Sequence, residues 1–306
     1  MSSSSINVAF TYALLIFVWA STPLAIVWSV AEIHPFWALI FRFWFALPIA
    51  LLILVLFKIR LPLQAKAWHS YLAGATGFIG SQTFIYAASE HTTSGMMALM
   101  FGFAPIMAGL IAFFVYGQKV RIYQWLGMLV SIAGLAWICL AGDSHQVKPF
   151  GILLMLIAVL IYAISIFWVK QVNAAVEPMA QATGSIFVSA LIGVLISPFV
   201  WDAFPTTLPS LKSMLAIAYT VIMASIVAMF CYFKLVQKIS ATTMSLTTVL
   251  TPILAMLLGA LLNQEALGLN VFLGSAVVLM GLLLYFYKDI QTLRMRDQLS
   301  KNMSSK

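Results

Sequence analysis

Apolar and polar residues are distributed in blocks along the chain. Uncharged apolar runs of about twenty residues recur from near the start to position 287, separated mostly by polar stretches of four to twelve residues. A run of roughly 18 or more apolar residues is long enough to cross a bilayer as a helix. Ten such spans are predicted, at 7–29, 35–57, 70–89, 93–115, 122–141, 150–171, 178–201, 211–234, 241–262 and 267–287. The connections leave no room for a soluble domain, so the expected fold is one all-α integral membrane protein of ten transmembrane helices. The opening "MSSSSINVAF" lacks the positive region of a secretory signal, and the first span is expected to be retained.

The fourth span contains "MMALMFGFAPIMAGLIAFFV", with Pro105 in its middle. An interior proline removes one helical hydrogen bond and crowds the carbonyl four residues back, at a cost of about 3 kcal/mol in water. Sliding the sequence against itself by 147 positions lays Pro105 on Pro252. Over that 41-residue stretch eleven pairs are identical without a gap, among them Gly127/Gly274 and Gly134/Gly281. Residues 1–141 and 150–288 therefore read as two repeats of five spans, followed by a basic tail at 289–306. An odd number of spans makes the second repeat enter the membrane from the opposite side. Inverted repeats packed about a midplane site are the signature of secondary transporters. Broken helices are tolerated at membrane depth where they are buried in protein or line a wet cavity. This makes Pro105 and Pro252 candidates for the pathway wall, against the plainer reading of static kinks.

Composition sharpens this picture. The chain is 63% hydrophobic and 8% charged, against about 25% charged for soluble domains. The net charge of +8 is distributed as a topology signal. If the N-terminus is cytoplasmic, thirteen Lys and Arg residues fall on that side and two, Lys148 and Lys212, on the other. The positive-inside rule then places both termini in the cytoplasm of a cell inner membrane and excludes a nucleic-acid reading. Cys139 and Cys231 lie inside spans at no metal-ligand spacing and read as packed thiols. Neither cofactor nor metal is expected.

The order of signals resembles the EamA-type branch of the drug/metabolite transporter superfamily. The resemblance rests on "TTSGMMALMFGFAPIMAGLIAFFVYGQKVRIYQWLGMLVSIAGL" and its second copy "ATTMSLTTVLTPILAMLLGALLNQEALGLNVFLGSAVVLMGL", with "FIYAASEHTTSG" and "IFRFWFALPIALLIL" adding to it. It implies ten helices in two five-helix repeats and carriage of small organic metabolites, with amino acids favoured and export the commoner direction. One departure stands out. The family's turn after the proline helix usually reads Gly-Glu, whereas the copies here read Gly117-Gln118 and Gln264-Glu265.

Arg42 is the only charged residue well inside a span, about 10 Å deep at 1.5 Å per residue. Such a charge faces a cavity or a partner, or snorkels. The functional reading is recognition of a substrate carboxylate. Trp19, Trp44, Tyr86, Tyr162, Trp168, Tyr219 and Tyr232 lie deep and need hydrogen-bond partners; together they suit an amphipathic solute, although each alone also fits core packing or lipid. Trp37, Trp68, Trp125 and Trp201 are expected at the interfaces. Gln82 joins the candidates because lipid cannot satisfy its amide, and Thr247, Thr248 and Thr251 precede Pro252. Gly74, Gly77 and Gly80, like Gly127/Gly134 and Gly274/Gly281, read as close-packing positions. All eight acidic residues and all four histidines fall in predicted loops or the tail. That absence disfavours cationic substrates and excludes the paired groups of an enzyme site. The expected partners are a small-molecule substrate and the lipid bilayer. Two halves suffice for a working monomer, and the oligomeric state is not fixed by sequence. A channel, or a membrane sensor or assembly protein, shares the ten-helix pattern and is the alternative.

Overall fold

The computed structural model describes residues 3–141, 147–236, 238–239, 243–244, 247–265, 268–288 and 291. Ten helices and no strand are found among them. They are α1 (Ser3–Ser29), α2 (Pro35–Leu56), α3 (65–88), α4 (94–116), α5 (Ile122–Ala141), α6 (Pro149–Val172), α7 (Pro178–Ile196, extended by a 3₁₀ turn Ser197–Ala203), α8 (211–236), α9 (Thr247–Asn263) and α10 (Leu269–Tyr285). Seven of them, all but α3, α9 and α10, are long and apolar enough to cross a membrane. The first residues predicted for the ninth span, and all of the predicted tail except Gln291, lie outside the described residues.

Helix α3 starts at Ala65, five residues before the predicted span, so Lys66 and the exposed His69 are helical and not in a loop. Ala-Lys-Ala-Trp is good helix-forming sequence. A lysine stem lets the helix continue past the apolar edge. Trp37 also departs from expectation. It is fully buried, donates from Nε1 to the Val200 carbonyl at 2.8 Å, and meets Phe204 edge-on at 4.8 Å. The 3₁₀ turn after α7 folds Trp201 and Phe204 over it, so one intended interfacial ring becomes core. Trp68 and Trp201 remain 38% and 61% exposed, as an interfacial belt requires.

The two aligned prolines act differently. In α4 the ladder stops at Gly102–Phe103, where the N–H groups of both residues reach back only three positions, to Leu99 and Met100. A new helical segment, Ala104–Tyr116, then starts with Pro105 in its first turn, where a missing N–H costs little. Pro252 instead lies inside α9. It cannot donate to the Thr248 carbonyl.

Interruptions that the sequence does not announce occur in α3 and α8. Thr76–Gly80 and Thr220–Val227 are π-helical. The first of these falls, 147 residues on, against 223–227, inside the second. The ends of the proline helices match as well. Gly117 and Gln264 both adopt positive φ, 64° and 50°. The next N–H closes the same bond in each copy, Gln118 to the Ala112 carbonyl at 3.1 Å and Glu265 to the Gly259 carbonyl at 3.2 Å. Both bonds span six positions, one more than the C″-to-C3 bond of a Schellman cap, and satisfy a carbonyl of the last turn in the same way.

Helix α5 packs along α10. A Cβ on Gly127 would lie 2.6 Å from the Gly281 carbonyl, and one on Gly134 would lie 2.8 Å from the Gly274 carbonyl. The register runs in opposite directions on the two helices, so they are antiparallel and meet through their glycines. Helix α4 packs on α9, α2 on α7, α1 on α8 and α9, and α6 on α3 and α4. The continuous core runs through α2, α3, α4 and α6 around Trp37, Tyr86, Leu99 and Met155.

Candidate functional site

Among the described residues two charged side chains are buried, Arg42 at 6% exposure and Glu265 at 8%. They do not meet. Arg42 projects from α2 toward α3 and α8. Its Nε donates to Ser225 Oγ at 3.1 Å and one Nη donates to Gln82 Oε1 at 3.1 Å. Both acceptors are neutral. A guanidinium has five N–H donors, so three remain without a protein acceptor among the described residues. The open edge is not sealed, because no guanidinium nitrogen belongs to the fully buried unpaired polar atoms.

The π segments place both acceptors. Ser225 Oγ donates to the Thr220 carbonyl at 3.0 Å, five residues back, and so turns its lone pairs toward Arg42. Gln82 lies two residues beyond the π segment of α3. Irregular turns of this kind occur frequently at functional sites. Burying a guanidinium costs several kcal/mol unless a counter-charge and hydrogen bonds offset it. Two neutral bonds leave that offset incomplete.

The aromatic candidates divide into groups. Trp19 of α1 and Tyr232 of α8 have ring centres 5.8 Å apart. Tyr162 of α6 meets Phe101 edge-on at 5.9 Å, just before the α4 break. Tyr219 shares a 2.5 Å hydrogen bond with Ser21 across α8 and α1. Trp44 donates to the Ala190 carbonyl of α7 at 3.2 Å, a packing role. Trp168 is 37% exposed on α6. Tyr86 is fully buried and its hydroxyl has no partner among the described residues; the buried Thr251 Oγ1, beside Pro252, has none among them either. Thr248 comes close to the break, its carbonyl 3.5 Å from where a Gly102 Cβ would sit. The Pro105 carbonyl accepts from Tyr285 of α10 at 3.1 Å. Thr247 bonds back to the Met244 carbonyl, as helix-borne threonines commonly do.

Sequence reasoning named Arg42 and Gln82 as separate candidates without pairing them, and it missed Ser225. Serines are common in the spans, and only the π turn singles this one out. It also missed the setting of Glu265, whose carboxylate accepts from the Ser94 and Gly95 N–H groups at 3.0 and 3.2 Å.

An all-helical, bilayer-length bundle with helices interrupted around one buried, under-satisfied cation defines a multi-pass membrane transporter. The chain belongs to the EamA-like transporter family, whose profile matches residues 7–140 and again 149–287. It is 26% identical over 271 residues to "Uncharacterized inner membrane transporter YedA" of Escherichia coli strain K12, covering 88% of this chain and 87% of that one. To the "WAT1-related protein At3g02690, chloroplastic" of Arabidopsis thaliana it is 27% identical, covering 89% of this chain and 68% of that one. "Protein PagO" of Salmonella typhimurium is 26% identical, with 82% and 83% covered. A protein crystal structure superposes with a TM-score of 0.66 at 18% identity, over 95% of this chain and 99% of its own, and shares the fold.

Proposed function

We propose that the protein is a secondary carrier of the inner membrane that moves an amino acid or a related carboxylate-bearing metabolite by alternating access, with export as its direction and both termini cytoplasmic. The observation that carries the substrate class is the Arg42 guanidinium, held by Ser225 and Gln82 with three N–H donors unused. A carboxylate accepts two parallel bonds from such a fork. It also supplies the missing counter-charge. Trp19, Tyr162 and Tyr232 offer ring faces to the rest of the solute. Thr248, Thr251, Pro252 and Pro105 border it from the interrupted helices.

The two-half arrangement is supported by the matching π segments, by the repeated cap at Gln118 and Glu265, and by the reciprocal glycine contacts of α5 and α10. The π segments and the caps relate positions 147 residues apart, and the same shift carries the Gly127–Gly281 contact onto the Gly134–Gly274 contact. The antiparallel seam is what a two-fold axis in the membrane plane requires.

Counterflow of radiolabelled amino acids in proteoliposomes tests the reading, with a neutral, aromatic and sulfur-containing panel. Uptake that needs substrate on the trans side and disappears in Arg42→Ala is expected. Absence of flux for every amino acid from folded protein would overturn the substrate class, and flux without counterflow would mark a channel.

A further inference from the structure

Glu265 is the second buried charge, and the carriage of a carboxylate does not use it. It stands in the turn between α9 and α10, yet its carboxylate leaves that turn. Oε1 accepts from the Ser94 N–H and Oε2 from the Gly95 N–H, the first donors of α4. Asn263 Nδ2 adds a third bond at 3.1 Å, and Asn263 Oδ1 accepts from Trp28 Nε1 of α1 at 2.8 Å. One carboxylate therefore ties α4, α9 and α1 together at one end of the bundle.

Small residues make the approach possible. A Cβ on Gly259 would strike the Glu265 carboxylate, and one on Gly95 would lie 2.9 Å from the Met256 backbone. Beside the carboxylate the Ser94 hydroxyl is fully buried and has no partner among the described residues.

This arrangement exceeds what α4 needs in order to form. Thr93 already caps it, its side chain accepting from the Met96 N–H at 3.2 Å. The bonded piece, Ser94–Phe101, ends at the Gly102–Phe103 break, so it is a short segment held by Glu265 at one end and released from the rest of α4 at the other. The aligned position at the opposite end of the bundle is Gln118, whose side chain is exposed.

We infer that the Glu265 carboxylate is a charge-dependent latch that closes the α9–α10 end of the pathway by seizing the start of α4, and that access at this end requires its release. This rests on the alternating-access reading, and the experiment separates the two. In protein with Cys139 and Cys231 replaced by alanine, spin labels are placed at Glu90 and Leu262, which flank the latch and are exposed. A second pair at Lys119 and Lys238 reports the opposite end. A third, at Leu129 and Met280, reports the α5–α10 seam.

With the parent, the Glu90–Leu262 pair should give one short distance by pulsed dipolar spectroscopy. The isosteric Glu265→Gln should add a longer population there, leave the seam pair unchanged and shorten the Lys119–Lys238 distance. Opening at the latch without any change at the opposite end would uphold the latch and sink alternating access. An unchanged Glu90–Leu262 distribution in both Glu265→Gln and Glu265→Ala, or broadening that includes the seam pair, would overturn the latch in favour of a static structural cap.

Discussion

At the scale of single residues, Arg42 was legible because a lone charge inside an apolar span has few ordinary explanations. Its orienting partner Ser225 was not, because it lies 183 positions away in sequence and is aimed by backbone geometry. Truncating one side of a buried charge-assisted pair costs about 2–5 kcal/mol. Arg42→Ala is therefore expected to weaken binding of a carboxylate substrate by roughly 30-fold or more, measured by calorimetry in detergent. Arg42→Lys should recover part of this, since it restores the charge without the fork. Glu32, in the turn between α1 and α2, gives a second residue-level expectation. Hydrogen bonds from the Ser210 hydroxyl and then from its N–H hold the Glu32 carboxyl below its ordinary range. A lowered folded value means that the tie is fully present above the ordinary carboxylate value and is lost as pH falls through the lowered one. Glu32→Gln should reproduce that loss at neutral pH as faster exchange of the Ser210 amide.

At the scale of elements, helix positions followed from apolar run length to within about six residues, and seven of the ten helices are long and apolar enough to cross a membrane. Proline was a less faithful guide. Pro105 and Pro252 align in sequence, but one starts a helical segment and the other sits inside one, because the Gly102 preceding the first has no glycine counterpart before the second. The π segments were invisible: "TGFIG" and "TVIMASIV" carry no proline and no composition that separates them from ordinary spans. The glycine seam was legible and can be tested by contrast. Gly281→Val drives side-chain atoms into the Gly127 carbonyl at 2.6 Å, and overpacking of this kind costs about 1–3 kcal/mol. The nearest atom to a Cβ on Gly80 is 3.5 Å away, an ordinary contact. Thermal unfolding in detergent should show a clear loss for Gly281→Val and little change for Gly80→Ala.

At the scale of the whole molecule, the ten helices found among the described residues were readable because apolar run length is a pattern in one dimension. The Gln118/Glu265 difference between the two ends stood out in the sequence, but its meaning did not, since the carboxylate's partners are the first N–H groups of a helix 170 positions away. The π segments carry a wider consequence. Each is a dislocation in the ladder of a helix, a place where hydrogen bonds slip register. A dislocation can travel, exchanging one bond for its neighbour as it goes, so the count of bonds is conserved while it moves. Every residue it passes is rotated by about 100° relative to the core, the angle between successive residues of an α-helix. Ser225 and Gln82 stand at or beside these two dislocations. Their grip on Arg42 is therefore set by where each defect stands in its ladder.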